Sequence, residues 1–145
     1  MIKVRKYNKS DLEKILEIEY SAFKFPYPRE LFEELLSNKH TKMLVAEIDS
    51  DKIVGYILYS IKSLKCLLIS IAVAPRYRRM GVGTMLMQAF LDDIKNVVKF
   101  VELQVGYNNL EAIKFYDKFG FKVSGVLKKY YPDGEDALYM VKYLN

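Results

Sequence analysis

Residues 71 to 86 constrain this chain more than any other stretch: Ile-Ala-Val-Ala-Pro-Arg-Tyr-Arg-Arg-Met-Gly-Val-Gly-Thr-Met-Leu. The apolar run from Leu67 to Val73 reads as a buried strand, and Ala74-Pro75 ends it. Arg76, Arg78 and Arg79 follow. Gly81-Val82-Gly83 then opens a segment with Met85, Leu86, Ala89 and Phe90 at helical spacing. Strand, basic glycine-containing loop and helix is one way to hold a phosphate. The N–H groups of the first helical turn have no partner inside the helix, and the macrodipole favours negative charge there. Glycine lets the main chain approach such a ligand.

Two common phosphate loops are excluded. No Gly-Lys dipeptide exists, so the nucleotide-triphosphate pattern G-x-x-x-x-G-K-[ST] is absent. The dinucleotide pattern G-x-G-x-x-G fails because Leu86 stands where its third glycine belongs. What remains is Arg78-Arg79-Met80-Gly81-Val82-Gly83, or R-x-x-G-x-G, preceded by V-x-P-x-Y at residues 73–77.

The rest of the chain punctuates itself clearly. Ile2 and Val4 alternate with charged residues, which predicts a first strand over 2–7. Ser10-Asp11-Leu12-Glu13 reads as a capping box opening a helix over about 11–23, with Leu12, Ile15, Leu16 and Phe23 inward. Phe25-Pro26-Tyr27-Pro28 ends it. A second helix begins near Arg29, turns Leu31, Phe32, Leu35 and Leu36 inward, and closes at His40, which reads as a solvated helix end. Strands are expected over 43–48 and 53–61, joined by the turn Asp49-Ser50-Asp51-Lys52, and then over 67–73. A helix over about 82–95 leads to a strand over 100–105. A helix capped by an asparagine of Tyr107-Asn108-Asn109 follows and stops at Gly120. Strands over 121–127 and 137–143 flank the turn Pro132-Asp133-Gly134.

The order β-α-α-β-β-β-α-β-α-β-β predicts an α/β (mixed α+β) fold, a mixed sheet with helices on both faces. Its fourth and fifth strands form a parallel crossover around the third helix. At 145 residues, half of them hydrophobic, the chain (residues 1–145) is expected to form one domain with a full core. No apolar run reaches a membrane span, and the first residues lack a signal peptide's apolar region, so a cytoplasmic location is expected. One cysteine, Cys66, excludes an intramolecular disulfide. No metal site is expected. The net charge of +5 suits a polyanionic ligand or proximity to the ribosome, but no aromatic–basic nucleic-acid motif accompanies it.

The 73–83 pattern resembles the acetyl-CoA pyrophosphate loop of the GNAT acetyltransferase superfamily. A second motif resembles the same family: Leu103-Gln104-Val105-Gly106-Tyr107-Asn108-Asn109, then Ala112-Ile113, Phe115-Tyr116 and Phe119-Gly120-Phe121. Lys129-Tyr130-Tyr131-Pro132-Asp133-Gly134-Glu135-Asp136-Ala137 is similar to a segment of archaeal N-terminal acetyltransferases, the NatA catalytic subunit and, in related form, RimI-type enzymes. Phe25-Pro26-Tyr27 resembles the RimI substrate loop.

The resemblance covers the whole chain. It implies a GNAT fold with a mostly antiparallel sheet of about seven strands, four helices on both faces, and a cleft between the fourth and fifth strands. It also implies acetyl-CoA as cosubstrate. Ile71, Ala72 and Val73 would pair with the pantetheine arm. Arg78, Arg79, Met80, Gly81, Val82, Gly83 and Thr84 would wrap the pyrophosphate. Asn109 would lie beside the cosubstrate. Tyr116 would protonate the departing thiolate. Phe25, Tyr27, Tyr130 and Tyr131 would line a peptide slot. The implied partner is a protein N-terminus, with ribosome association, no membrane, no specific nucleic acid, and a monomer or weak dimer.

Gln104 departs from the pattern, because RimI proteins carry a glutamate base there, and a neutral amide cannot accept a proton at neutral pH. Glu102 faces the same side but lies ~6.6 Å away along the strand. The base is therefore Glu102 acting through water, a water chain on backbone carbonyls, or absent. The chemistry tolerates its absence better for one class of amine. An α-amine of pKa about 7.7–8.0 is roughly a tenth to a sixth neutral at pH 7, against about one in 2,500 for a lysine amine. That difference is roughly 3 to 4 kcal/mol. Direct attack by the α-amine of a protein N-terminus is the expected reaction. The alternatives are a small-amine acetyltransferase and a non-catalytic CoA-binding module. Nothing near Cys66 suggests an activated acyl carrier.

Overall fold

The computed structural model describes residues 1–50 and 52–144. The elements run β1 (Ile2–Lys6), α1 (Leu12–Ala22), α2 (Arg29–Leu36), β2 (Thr41–Ile48), β3 (Lys52–Lys62), β4 (Lys65–Val73), α3 (Val82–Ile94), β5 (Phe100–Gly106), α4 (Leu110–Lys118), β6 (Lys122–Leu127) and β7 (Ala137–Tyr143). The strands form one sheet in the order β1-β2-β3-β4-β5-β7-β6. Every neighbouring pair is antiparallel except β4–β5. This is the mixed sheet that the element order predicts, and the mostly antiparallel one of seven strands that the resemblance implies. Of the expected hairpin turn, Asp51 lies outside the described residues.

Two apolar layers hold the sheet. On one face, Val82, Leu86, Phe90 and Ile94 fall four residues apart on α3. They pack with Ile57, Tyr59, Leu68, Val101 and Leu103, and Ala112, Ile113, Phe115 and Tyr116 of α4 lie against the same cluster. On the other, Ile15, Leu16 and Ile18 of α1 and Phe32 of α2 pack with Met43, Val45, Tyr56 and Leu58. Truncating a wholly buried ring such as Phe90 would cost about 3–5 kcal/mol. α3 lies unusually close to β3 at Gly55. A Cβ there would stand 3.0 Å from the Ala72 carbonyl oxygen and within 3.2 Å of both Leu86 and Val82.

Three local expectations are corrected. Helix α1 starts at Leu12, after a short 3-10 turn over Lys9–Asp11, and the Ser10–Glu13 box does not form. The Asp11 carboxylate instead accepts the Asn8 N–H at 2.8 Å and two guanidinium N–H groups of Arg5, each at 2.9 Å. A bidentate charged pair outcompetes a neutral serine cap. Phe23 is not on the inward stripe. It lies past the helix end in extended backbone and is 37% exposed, because the chain must straighten toward Pro26 and Pro28. Helix α2 ends at Leu36, and His40 sits exposed in the following turn, its N–H bonded to Asn38 Oδ1.

Two irregularities of β4 open and orient a cleft in the sheet. Leu58 pairs with Ser70 but Tyr59 pairs with Leu68, so Ile69 is an extra residue, a bulge. It reverses the side-chain alternation. Leu68 faces the α3 layer before the bulge and Ile71 after it, which turns Ser70 and Ala72 toward α1. The parallel ladder with β5 is also short. It joins Lys65–Leu67 to Phe100–Glu102 and then stops, and the two strands part beyond it.

Candidate active site

The parting of β4 and β5 leaves a cleft whose two walls differ in origin. One wall is the end of β4. Ile71, Ala72 and Val73 pair with Ile57, Tyr56 and Gly55 of β3 on one side and lack a ladder partner on β5. The other wall is β5 from Leu103 to Gly106, which pairs only with β7. Main-chain N–H and C=O groups along the β4 edge are thus available to a ligand lying between the strands.

The loop after β4 is built for an anion. Arg79 has φ +64° and Gly81 φ +81°, two left-handed residues separated by Met80. Such alternation turns successive N–H groups to one side. The first intrahelical bond of α3 runs from Met85 N–H to Gly81 O, so the N–H groups of Val82, Gly83 and Thr84 have no partner within the helix. Arg76, Arg79 and Met80 are exposed around this turn. Arg78 is exposed as well, and its Nε donates to the Val73 carbonyl at 3.2 Å, which braces the loop. A pyrophosphate fits this cradle. Free donors, a helix N-terminus and exposed arginines meet in one turn.

α4 approaches the same turn. A Cβ on Gly83 would lie 3.5 Å from the Phe115 ring, so this side of the first turn of α3 rests on α4. Asn109 caps α4 by accepting the Ala112 N–H at 3.2 Å. Tyr116 follows Phe115, and its ring is edge-on to Phe115 and Phe121. Burial first, and the neighbouring Tyr131 phenol second, hold its hydroxyl proton well above the ordinary phenol range. Among the described residues its hydroxyl has no hydrogen-bond partner. It is a protonated donor without an acceptor.

Another side of the cleft is aromatic. Tyr131 lies over the end of β5, its Cε2 3.8 Å from where a Cβ on Gly106 would stand. It stacks on Phe25 at 6.4 Å between centroids and meets Tyr130 edge-on at 5.0 Å. Tyr27 is raised above the usual phenol range by burial and then by Tyr130, Glu19 and Tyr131, which groups these side chains together. The 129–137 segment folds into a braced turn. Asp136 accepts the Lys129 N–H at 2.9 Å, Asp133 accepts the Glu135 N–H at 3.1 Å, and Gly134 has φ +86°. Its acids and glycine are thus occupied with the turn, while Tyr131 reaches Phe25 and Tyr130.

The two candidate bases part company. Glu102 is held where β4 and β5 still pair: Lys65 Nζ is 3.1 Å from Oε1, and the Tyr139 hydroxyl donates to Oε2. Gln104 lies beyond the last β4–β5 pair, half-buried, and its amide makes no hydrogen bond among the described residues. Cys66 is fully buried, and burial pushes its thiol up to about 12, which removes it as a nucleophile. No cluster of three or more His, Cys, Asp and Glu among the described residues could hold a metal.

Sequence reasoning missed Glu19, Tyr56 and Ser70. Glu19 is 2% exposed and accepts from three donors. Its signal was its place: Ile15, Leu16 and Glu19 share the inward stripe of α1, where a carboxylate stands only if it is paired.

The profile of the Acetyltransferase (GNAT) family matches residues 11–121. The chain is 38% identical over 152 residues to an N-alpha-acetyltransferase of Sulfurisphaera tokodaii, covering 95% of this chain and 90% of that one. The crystal structure of Ard1 from Thermoplasma volcanium superposes with a TM-score of 0.92 at 30% identity, covering 99% and 98%. That of the ribosomal-protein-S18-alanine N-acetyltransferase from Escherichia coli gives 0.92 at 26%, covering 100% and 95%.

Proposed function

The chain belongs to the GNAT family of acetyltransferases, and on that premise we propose that it acetylates the α-amine of protein N-termini by direct attack on acetyl-CoA. Residues 1–145 act as one acetyltransferase domain in this reading. Acetyl-CoA, when bound, supplies the acetyl group as a thioester. The N-terminal turn of α3, with Arg79 to Thr84, holds its pyrophosphate, and Ile71 to Val73 present main-chain groups to its arm. Tyr116 carries a proton at its hydroxyl for the departing sulfur. Phe25, Tyr27, Tyr130 and Tyr131 enclose the peptide.

The observation that carries the reading is a pair of groups: a protonated phenol, Tyr116 of α4, with no hydrogen-bond partner among the described residues, and an uncharged amide, Gln104, on the β5 wall. No carboxylate is free at that position to deprotonate an amine of high pKa, since Glu102 is bonded to Lys65 and Tyr139. An α-amine needs the least help. The name of the relative at 38% identity, an N-alpha-acetyltransferase, agrees with this class of substrate. No helix among the described residues is long and apolar enough to cross a membrane. Action in the cytoplasm, on nascent or ribosomal proteins, belongs to the proposal.

The test is acetyl transfer to short peptides whose α-amine is free or blocked, each containing an internal lysine, read by mass spectrometry across about pH 6 to 9. The expected product is acetylation of free α-amines alone, at a rate that climbs to the amine's own pKa. Binding of acetyl-CoA without transfer to any peptide, or transfer to polyamines instead, overturns the reading.

A further inference from the structure

The most deeply buried carboxylate at the cleft is one that the chemistry above does not use. Glu19 lies on α1 at 2% exposure. Its Oε1 accepts from the Tyr56 hydroxyl and, at 3.0 Å, from the Ser70 hydroxyl, and these two hydroxyls are 2.9 Å from each other. Its Oε2 accepts the backbone N–H of Tyr27 at 2.9 Å. Tyr56 is on β3 and wholly buried. Ser70 is on β4, immediately after the bulge and immediately before Ile71. Tyr27 belongs to the segment between α1 and α2. One carboxylate therefore joins the segment that encloses the peptide to the strand whose edge faces the thioester.

The alternative role for such a group is proton acceptor, and the geometry opposes it. Both oxygens are engaged by donors, and the side chain is sealed from solvent. A base must reach the proton it removes directly or through one water. What the contacts provide is register. Phe25-Pro26-Tyr27-Pro28 contains two prolines and lacks ladder bonds, so nothing intrinsic fixes its height above the sheet. Lys24 with Asp133 and Phe25 on Tyr131 tie it to the β6–β7 segment, and the bond from Tyr27 N–H to Glu19 ties it to the sheet.

We infer that Glu19 is the positioning residue of the acceptor slot, fixing the α1–α2 segment to β4 through Tyr27 N–H, Tyr56 and Ser70; this rests on the peptide-acetylation reading above. An error of about an ångström in the placement of the amine can cost on the order of a hundredfold in rate, so such a tether matters to turnover without touching substrate.

The role makes a prediction that a base would not. Glutamine can replace Glu19, because its amide oxygen can take the Tyr27 N–H while its NH₂ group donates to the two hydroxyls, which also accept. Alanine cannot. Glu19→Ala is expected to raise the peptide KM about tenfold, with kcat less affected and acetyl-CoA affinity within about twofold of wild type. Glu19→Gln is expected to stay within about threefold in KM and to keep the wild-type pH profile. A folded Glu19→Gln variant as impaired as the alanine variant overturns the inference, because charge is then what is needed. An unchanged KM in Glu19→Ala overturns it too. Tyr56→Phe, which removes one donor and little volume, is the second variant should Glu19→Ala not fold. Amide exchange across residues 23–28 is expected to rise several-fold in it, and unchanged exchange overturns the inference. Exchange and acetyl-CoA binding require no acetylated product. If wild-type protein acetylates no peptide, the functional reading fails, and exchange still decides whether Glu19 holds the segment.

Discussion

Lys24, between α1 and α2, and Asp133, between β6 and β7, stand 3.0 Å apart from Nζ to Oδ2 although 109 residues separate them. Beside them Phe25 stacks on Tyr131. The two segments flanking the acceptor side of the cleft are thus joined twice, once by charge and once by an aromatic contact. The Glu135 N–H first, and Lys24 second, hold the Asp133 carboxyl below its usual range. Lys24 is largely solvated, so the pair adds little to stability. Lys24→Ala is expected to leave Tm within about 2 °C and to raise the peptide KM two- to threefold at low salt, roughly. At about 1 M salt, where exposed charges are screened, wild type and variant should converge. Steady-state KM at both salt concentrations checks this. A difference that persists at high salt would mean that Lys24 touches the peptide rather than serving Asp133.

Tyr116 has the environment of a proton donor that keeps its proton. Burial and Tyr131 raise its pKa, so it remains protonated through and beyond the ordinary phenol value of about 10. The rate–pH profile of wild type should therefore rise with the amine and show no descending limb below that value. Tyr116→Phe is expected to lower kcat about a hundredfold, with acetyl-CoA affinity little changed. Titration calorimetry with acetyl-CoA, beside steady-state kinetics, separates the two effects. Unchanged kcat in the phenylalanine variant would remove Tyr116 from the chemistry.

Gln104 offers the converse experiment, since a function can be added rather than removed. Its amide has no protein partner among the described residues and stands past the last β4–β5 ladder pair. A glutamate there would be ionised above about pH 4.3 and could take a proton from the amine. Gln104→Glu is expected to raise the rate at pH 6 to 7 by about tenfold or more and to flatten the climb toward the amine's pKa. The measurement is the pH profile of kcat/KM on one peptide. An unaltered profile would mean that residue 104 does not face the nucleophile.

How much of this was legible in the sequence divides along the range of the interactions. The strand, loop and α3 were readable because their signals are local: Met85, Leu86, Ala89 and Phe90 at helical spacing, a proline stop, and Gly81 where φ is positive. The asparagine cap and the Gly120 stop of α4 were readable for the same reason. The bulge at Ile69 was not, because register belongs to the pairing of β4 with β3 and not to either strand. Nor was the bracing role of Arg78, whose partner is a carbonyl. Glu19 was passed over because a glutamate amid surface lysines and glutamates in α1 looks solvated until Tyr56 and Ser70 arrive from the sheet. Glu102 and Gln104 are neighbours on one face by spacing. Only the early end of the β4–β5 ladder separates one from the other.

The charged pairing at Asp11 makes a prediction about stability and pH. Burial opposes ionisation of Asp11, but the Arg5 guanidinium and the Asn8 N–H outweigh it and hold the carboxyl below its usual value. Arg5 also donates to Glu47, so it links β1, β2 and the start of α1. A carboxyl with a depressed folded-state pKa contributes stability that is fully present above the unfolded-chain value of about 4. That contribution is lost as pH falls through the folded value, where the native state must also take up the proton. Asp11→Asn keeps the shape and removes the charge. It should lower stability by on the order of 2 kcal/mol between about pH 5 and 8, and the deficit should shrink as pH drops below about 4. Urea unfolding followed by circular dichroism at a series of pH values measures it. A deficit of the same size at pH 3 as at pH 7 would show that the asparagine acts through lost packing, and that the Arg5–Asp11 charge pair contributes nothing to the acid sensitivity of the fold.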